Sequence, residues 1–513
     1  MAKNRPTRYQ CHIPLNRVEG DLEIRVVVED GVIVDAWSSG TMFRGFESLL
    51  VGRSAMDSLV ITPRICGICS TSHLMAAAMA LDAVARITIP DNAVRLRNLA
   101  LMAENLQSDL RQSILMYMVD FAHACYADRP WFEEAVRRYA PMRGSSVIEV
   151  IRETKKIPEI IAILGGQWPH TSFMVPGGVV LPARAAELRL CRFILDGYRR
   201  WYERRILGDV LESWHAVTDV REWVEQSVSR RESELGFFVR IALDLGLDRI
   251  GGAHGAFLSY GSLPLPRRTG IHPQEDAAQL VPSGFFRKGN LEPLDPERIT
   301  EHVACSWFKE YKGGLHPYKG RTQPQPPQPG ENDGRYSWAK APRYGPFAPE
   351  TGPLAEALIS DQPIFRKLVG KTGGSAFVRQ LARLVRPVFM IPVMDAWLIE
   401  LEHNPEGAVY QQPEALHAGK GSGMIQAARG ALGHWVRLKN GLIDHYQIIT
   451  PTAWNGSPRD GNGLRGPWEE ALIGVPVRDP AHPVEAGHVI RSFDPCLVCT
   501  VHAVTAGTQP RLA

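Results

Sequence analysis

Cysteine is scarce, eight in 513 residues, far too few for a small secreted scaffold stapled by disulfides. Neither sign of charge dominates. With 58 basic and 55 acidic residues the formal net charge is +3, so no excess marks a nucleic-acid or membrane-surface partner. No apolar run reaches the ~18 residues of a membrane-spanning helix, and the stretch from Ile114 to Ala127 is broken by Asp120 and His123. Met1 to Gly20 has Arg5, Arg8 and Arg17 scattered through it and lacks the uninterrupted apolar segment of a secretory signal. These absences predict a soluble protein made in the cytoplasm. What remains, 44% hydrophobic and 22% charged, is a globular composition, and the length admits about three domains or one large core.

Local patterns point to a mixed, helix-rich chain. Alternation over Leu22 to Val26, a turn at Glu29-Asp30-Gly31 and a second apolar pattern from Val32 to Trp37 predict a β-hairpin. After Pro90, with Asp91 as N-cap, the spacing of Leu99, Met102, Leu106, Leu110, Ile114 and Phe121 predicts one long, mostly buried helix. Helical patterns recur over Pro182 to Val217, Asp219 to Leu245 and Gly352 to Leu384. Thr322 to Gly330 is a proline-rich surface loop, and short strand-like segments lie near Trp435 to Leu438 and Tyr446 to Thr450.

Four of the cysteines form two Cys-x-x-Cys pairs at opposite ends of the chain. Arg64-Ile-Cys66-Gly-Ile-Cys69-Ser-Thr-Ser-His73 precedes a helix-compatible stretch, Leu74 to Arg86, and Asp494-Pro-Cys496-Leu-Val-Cys499-Thr-Val-His502 stands near the end. Each turn puts two sulfurs within reach of one ion, and thiolates favour soft or borderline metals. The ordinary reading of two such pairs is a structural zinc site. Zinc ribbons, however, bring their pairs close in sequence, whereas Cys69 and Cys496 are 427 positions apart. A large fold closing around the metal suits a buried catalytic centre.

The two motifs resemble the signatures of the large subunit of nickel-iron hydrogenases. Arg17-Val-Glu19-Gly20, Met42-Phe-Arg-Gly-Phe-Glu47, Tyr336-Ser-Trp to Arg343-Tyr344, Gly421-Ser-Gly to Arg429-Gly430 and Pro451-Thr-Ala-Trp-Asn-Gly-Ser-Pro-Arg-Asp460 extend the likeness, in the family's order, over nearly the whole chain. The resemblance implies an α+β, helix-rich fold: a long buried helical bundle with peripheral β-hairpins and small sheets. It implies one domain over 1–513, with 503–513 a propeptide that an endopeptidase removes after His502 once nickel is inserted with the help of metal-insertion chaperones. All four cysteines would hold nickel, Cys66 and Cys496 as terminal ligands and Cys69 and Cys499 as bridges to an iron carrying carbon monoxide and two cyanides.

Dihydrogen is an extremely weak acid, so its heterolysis needs a metal to take the hydride and a nearby base for the proton. By resemblance the first base is Cys496 and the next acceptor Glu19. Arg429 would project over the metals with Asp494 as carboxylate partner, and Thr452 would hydrogen-bond a cyanide. Glu47, His502 and the Ile448 carbonyl would hold Mg2+. His73 is better read as an orienter of ligands than as a ligand. Two departures from the family pattern suggest a rewired network near Arg429: Ala428 stands where many members have Pro, and Ser108 where many have Asp, with Asp109 adjacent. Trp168-Pro-His170 also departs from a His-Pro-His pattern near the partner's side.

Cys11, Cys125, Cys191 and Cys305 have no ferredoxin-like spacing, so electrons need a second chain. The resemblance implies an iron-sulfur small subunit in a heterodimer or a multiple of it, with any membrane association or export coming through that partner. The expected activity is hydrogen oxidation of the bacterial uptake type. A hydrogen-sensing regulatory subunit of very slow turnover is the second reading, and a non-enzymatic, structural metal-binding subunit the third.

Overall fold

Asp30 and Gly31 both take left-handed φ, 51° and 78°, as a two-residue hairpin turn requires. In the computed structural model, which describes residues 8–15, 17–18, 20–267, 278–327 and 334–500, this turn joins the strands Leu22–Glu29 and Val32–Gly40. A strand that the alternation did not predict, Arg8–Pro14, completes a three-stranded antiparallel sheet. Ile13, Ile24, Val26, Val28 and Ile33 on its inner face pack against Trp468, Val489, Ile490 and Phe493. The N-terminal sheet is thereby fastened to the helix Val484–Ser492, which leads into the second cysteine pair.

The larger core is built on the helices Ser70–Ala85, Asp91–Arg111, Ala185–Trp201 and Ala376–His403. In the second of these Pro90 is the N-cap and Asp91 the first helical residue, where its carboxylate still faces the positive end of the helix. The predicted single long helix ends at Arg111. It widens into a π turn, Gln112–Tyr117, and a 3-10 turn, Met118–Ala122, as Gln112 Nε2 donates to the Arg491 carbonyl at 2.6 Å.

Two other helical stretches are divided. Pro182 to Val217 holds the helix Ala185–Trp201 and then π and 3-10 turns, and Asp219 to Leu245 holds three helices whose caps are Asp219, Ser227 and Ser233. The Gly352 to Leu384 pattern likewise splits, and its last helix runs on through Pro387 and Pro392 to His403. Pro387 is buried and Pro392 exposed, and burial of the apolar residues on both sides of them outweighs their helix-breaking tendency.

The predicted C-terminal strand segments fall in a second antiparallel sheet, Gly419–Ala427, Gly430–Lys439 and Leu442–Ile449. The helix Ser70–Ala85 lies directly on it. Gly421 and Gly423 permit that approach, since a Cβ would come within 2.2 Å of the Ala80 carbonyl at the first and 1.9 Å of the Ala76 carbonyl at the second. Strand and helix run in opposite directions, so the turn Ala428–Arg429 projects past the helix N-terminus, where Cys69 sits.

Candidate metal centre

Each cysteine turn sits at the start of a helix, the first of them the stretch that the sequence marks as helix-compatible. A 3-10 turn, Thr62–Ile65, delivers Cys66 in extended backbone, and Cys69 occupies the N-cap of the helix Ser70–Ala85. The Cys69 side chain caps no backbone N–H, which leaves its sulfur for other partners. Glu104 does the capping from the neighbouring helix: its carboxylate accepts from Thr71 N at 2.7 Å, Ser72 N at 2.9 Å and Ser72 Oγ at 2.6 Å. At the other end of the chain, Asp494 turns the backbone with φ 58°, a conformation that Asp tolerates better than most residues. Cys496 follows, its N–H donating to Thr452 Oγ1 at 3.1 Å. Arg44 joins the two turns, donating to the carbonyls of both Ile65 and Val498.

The sulfurs of Cys66, Cys69 and Cys496 lie within 4.8 Å of one another, all buried. Cys66 Sγ and Cys496 Sγ are 3.7 Å apart across 430 residues. Cys499 belongs to the short helix Leu497–Thr500; its side chain lies outside the described residues, as do Glu19 and His502. The neighbours of Glu19 are well placed all the same. Gly20, at φ 83°, passes so close to the second pair that a Cβ would sit 2.9 Å from Val498 N, and Arg17 donates to the Met116 carbonyl at 3.0 Å and to Asp120.

Arg429 is buried over the sulfurs, with Nε 3.1 Å from Asp494 Oδ1. Burial disfavours its charge, but Asp494 and the three cysteines more than compensate and hold the guanidinium protonated. Its Nη1 is buried with no hydrogen-bond partner among the described residues. A buried orphan donor beside three soft donors fits an anionic diatomic ligand on a sulfur-bound metal. Thr452 fits the same role, because its oxygen accepts from Cys496 and its O–H remains free to donate.

His73 is fully buried, and desolvation pulls its pKa down to about 4, so the ring is neutral. Nδ1 lies 3.1 Å from His434 Nε2, and His434 Nδ1 lies 2.9 Å from the Tyr446 hydroxyl. A Tyr446 O–H donating to His434 makes His434 donate to His73, which places the His73 proton on Nε2. Neither His434 nor Tyr446 was legible as part of the centre from sequence.

Glu47 is also buried, its Oε1 accepting from Ile448 N at 2.9 Å and Gln447 Nε2 at 2.6 Å. Thr322 Oγ1 donates to Oε2, and Lys340 Nζ is 3.6 Å from it. Ile448 thus meets Glu47 through its amide. Both line a cavity of about 20 Å3 shared with Glu301 and Lys340. Burial pushes the Glu301 carboxyl up to about 7, and Glu47 adds to the rise. The two carboxylates and the Thr322 hydroxyl give this otherwise largely apolar pocket the oxygen donors that a hard dication takes.

Near Arg429, Ser108 is buried with its Oγ unpartnered among the described residues, while Asp109 beside it pairs with Arg383 and Arg386. His170 Nδ1 lies 2.9 Å from the Pro63 carbonyl, beside the first cysteine turn.

The nickel-dependent hydrogenase family model matches residues 44–129 and 142–502. The chain is 32% identical to the periplasmic [NiFeSe] hydrogenase large subunit of Desulfomicrobium baculatum, over 96% of this chain and 95% of that one. It is 29% identical to the uptake hydrogenase large subunit of Rhodobacter capsulatus, over 97% and 95%. The Ni-Fe-Se hydrogenase structure from Desulfovibrio vulgaris Hildenborough superposes with a TM-score of 0.80 at 31% identity, covering 97% of this chain and 100% of that chain. This chain belongs to the nickel-dependent hydrogenase family. It is a hydrogenase large subunit, an oxidoreductase with a nickel-iron centre.

The Glu104 cap carries a pH dependence. Burial pushes its carboxyl up to about 7 from an ordinary 4.5, against the opposing pull of its hydrogen bonds. Folding therefore favours the protonated form, and this contribution to stability, complete below 4.5, is lost as pH rises towards 7. Between about pH 5 and 8 the thermal midpoint of the parent should fall more steeply than that of Glu104→Gln. Parallel profiles would show that another group titrates.

Proposed function

We propose that the chain oxidises dihydrogen in the manner of an uptake hydrogenase and passes the electrons to an iron-sulfur small subunit. The buried three-sulfur cluster beneath Arg429 carries this reading. Cys66, Cys69, Cys496 and Cys499 would together hold a nickel-iron pair whose iron carries carbon monoxide and two cyanides. The bound pair supplies the Lewis acidity that makes dihydrogen acidic. Cys496, kept out of water and held through its N–H by Thr452, takes the proton first, and Glu19 takes it next. Arg429 and Thr452 would donate to the cyanides. Glu47, His502 and the Ile448 carbonyl would hold Mg2+ and order the region where protons leave. Electrons depart through the partner, because the remaining cysteines, Cys11, Cys125, Cys191 and Cys305, are dispersed.

No helix among the described residues is long and apolar enough to cross a membrane. Membrane association or export of this cytoplasmically made chain would come through the small subunit. Residues 503–513 are the segment an endopeptidase removes after His502, once metal-insertion chaperones have delivered the metals.

Infrared spectroscopy, dye reduction and intact mass test the reading on the purified complex. Carbon monoxide and cyanide bands, rapid hydrogen-dependent reduction and a large subunit ending at His502 are expected. Full activity with Ala513 attached would overturn the processing step, and very slow turnover with a bound histidine kinase would point to a sensor. Zinc alone, without those bands, would sink the hydrogenase mechanism.

A further inference from the structure

We infer that Arg383 is a positioning residue for Arg429, holding at once the carboxylate that pairs with it and the peptide that precedes it; this rests on the nickel-iron reading above. Arg383 lies on the helix Ala376–His403 and is 1% exposed. Its Nη1 is 3.2 Å from Asp494 Oδ2, 3.1 Å from the Ala428 carbonyl oxygen and 3.4 Å from Asp109 Oδ1. Arg386 is three residues on and faces the same way. Its Nη2 donates to the Ala428 carbonyl at 3.0 Å and to Asp109 Oδ1 at 2.6 Å, its Nε to Asp109 Oδ2 at 2.8 Å and its Nη1 to Glu356 Oε1 at 2.9 Å.

These contacts close a loop around Arg429. Arg383, Arg386 and Arg429 face Asp109, Glu356 and Asp494, so buried charge balances within the network, and each unpaired member would cost far more than the pair contributes. The Arg429 side chain has two anchors: its Nε on Asp494, and its own backbone, pinned through the Ala428 carbonyl. Arg383 touches both. Arg386 touches only the second, and Asp109 locks the two arginines together. All three contacts of Arg383 run through Nη1 at the end of a long, planar side chain, and a lysine ammonium on its shorter stem cannot hold all three at once. Loosening Arg383 therefore lets the Asp494 carboxylate and the Ala428 turn drift independently, and the free Nη1 of Arg429 moves relative to the sulfurs.

The test is Arg383→Lys in the complex with its small subunit, read by nickel and iron content, infrared spectrum and steady-state kinetics. Parental metal content, displaced cyanide bands, a kcat lower by about 10- to 100-fold and a KM for dihydrogen close to parental are expected, as for a group misplaced by a fraction of an ångström. The double variant with Arg429→Lys should be no slower than Arg429→Lys alone, because Arg383 acts through that side chain. Parental bands and kcat in metal-loaded Arg383→Lys, or losses that multiply in the double variant, would overturn the assignment. Should Arg383→Lys accumulate without metals, Asp109→Asn supplies the second measurement. It unlocks the two arginines and should displace the same bands, and unmoved bands would overturn the assignment equally. A parental complex lacking cyanide bands overturns the hydrogenase reading and this inference together, whereas bands unmoved in the variants overturn the inference alone.

Discussion

Cys496→Ser should abolish hydrogen-dependent dye reduction and bring nickel in the purified large subunit to background. Cys496 is fully buried, and its sulfur is 3.7 Å from that of Cys66, so both cysteines must meet the same ion. A serine oxygen is a harder and far more basic ligand than a thiolate, and nickel in a sulfur site loses affinity with it. The substitution also leaves a hydroxyl in a dry pocket where few acceptors await it. Activity should fall by on the order of a thousandfold or more, since binding and proton acceptance fail together. Cys191→Ser provides the comparison. Cys191 is equally buried, but its thiol is pushed up to about 12 by desolvation, and it lies in the helix Ala185–Trp201, outside the sulfur cluster. Metal content should survive there. Parental nickel and turnover in Cys496→Ser would remove it from the ligand set.

Glu19→Gln should leave nickel and iron in place yet slow turnover by about 10²- to 10⁴-fold, the range that a positioned proton-transfer group contributes. The amide keeps the size and hydrogen-bonding capacity of the carboxyl but cannot accept a proton and release it. Both flanks of position 19 are anchored, Arg17 on the Met116 carbonyl and Asp120, and Gly20 against Leu497 and Val498. The substitution should therefore act on chemistry more than on folding. Hydrogen/deuterium exchange with water should fall in parallel with dye reduction. Exchange at the parental rate would show that the proton leaves Cys496 by another route.

The sequence made the two cysteine turns legible because Cys-x-x-Cys is a local motif whose chemistry follows from spacing alone. The 30–31 turn was legible for the same reason. Glu104, Arg383, His434 and Tyr446 were not. The helix Asp91–Arg111 buries Arg95, Arg97, Glu104, Asn105, Gln107 and Asp109 along with its leucines, so apolar periodicity records only part of its packing. Its charged residues find their partners inside the core, Arg97 on Asp82 and Asp109 on Arg383 and Arg386.

By itself the sequence supplied the candidate groups: four thiols in two Cys-x-x-Cys turns, an arginine at 429 and carboxylates at Glu19 and Glu47. Only the tertiary structure decided that Cys66 and Cys496, separated by 430 residues, share one buried pocket, and that Arg44 ties their turns together. It also decided that Asp109, not Ser108, completes the network behind Arg429. The physical reason is range. A motif is set by neighbours along the chain, whereas a buried charge finds its partner only when the fold removes water and leaves one counter-charge within reach.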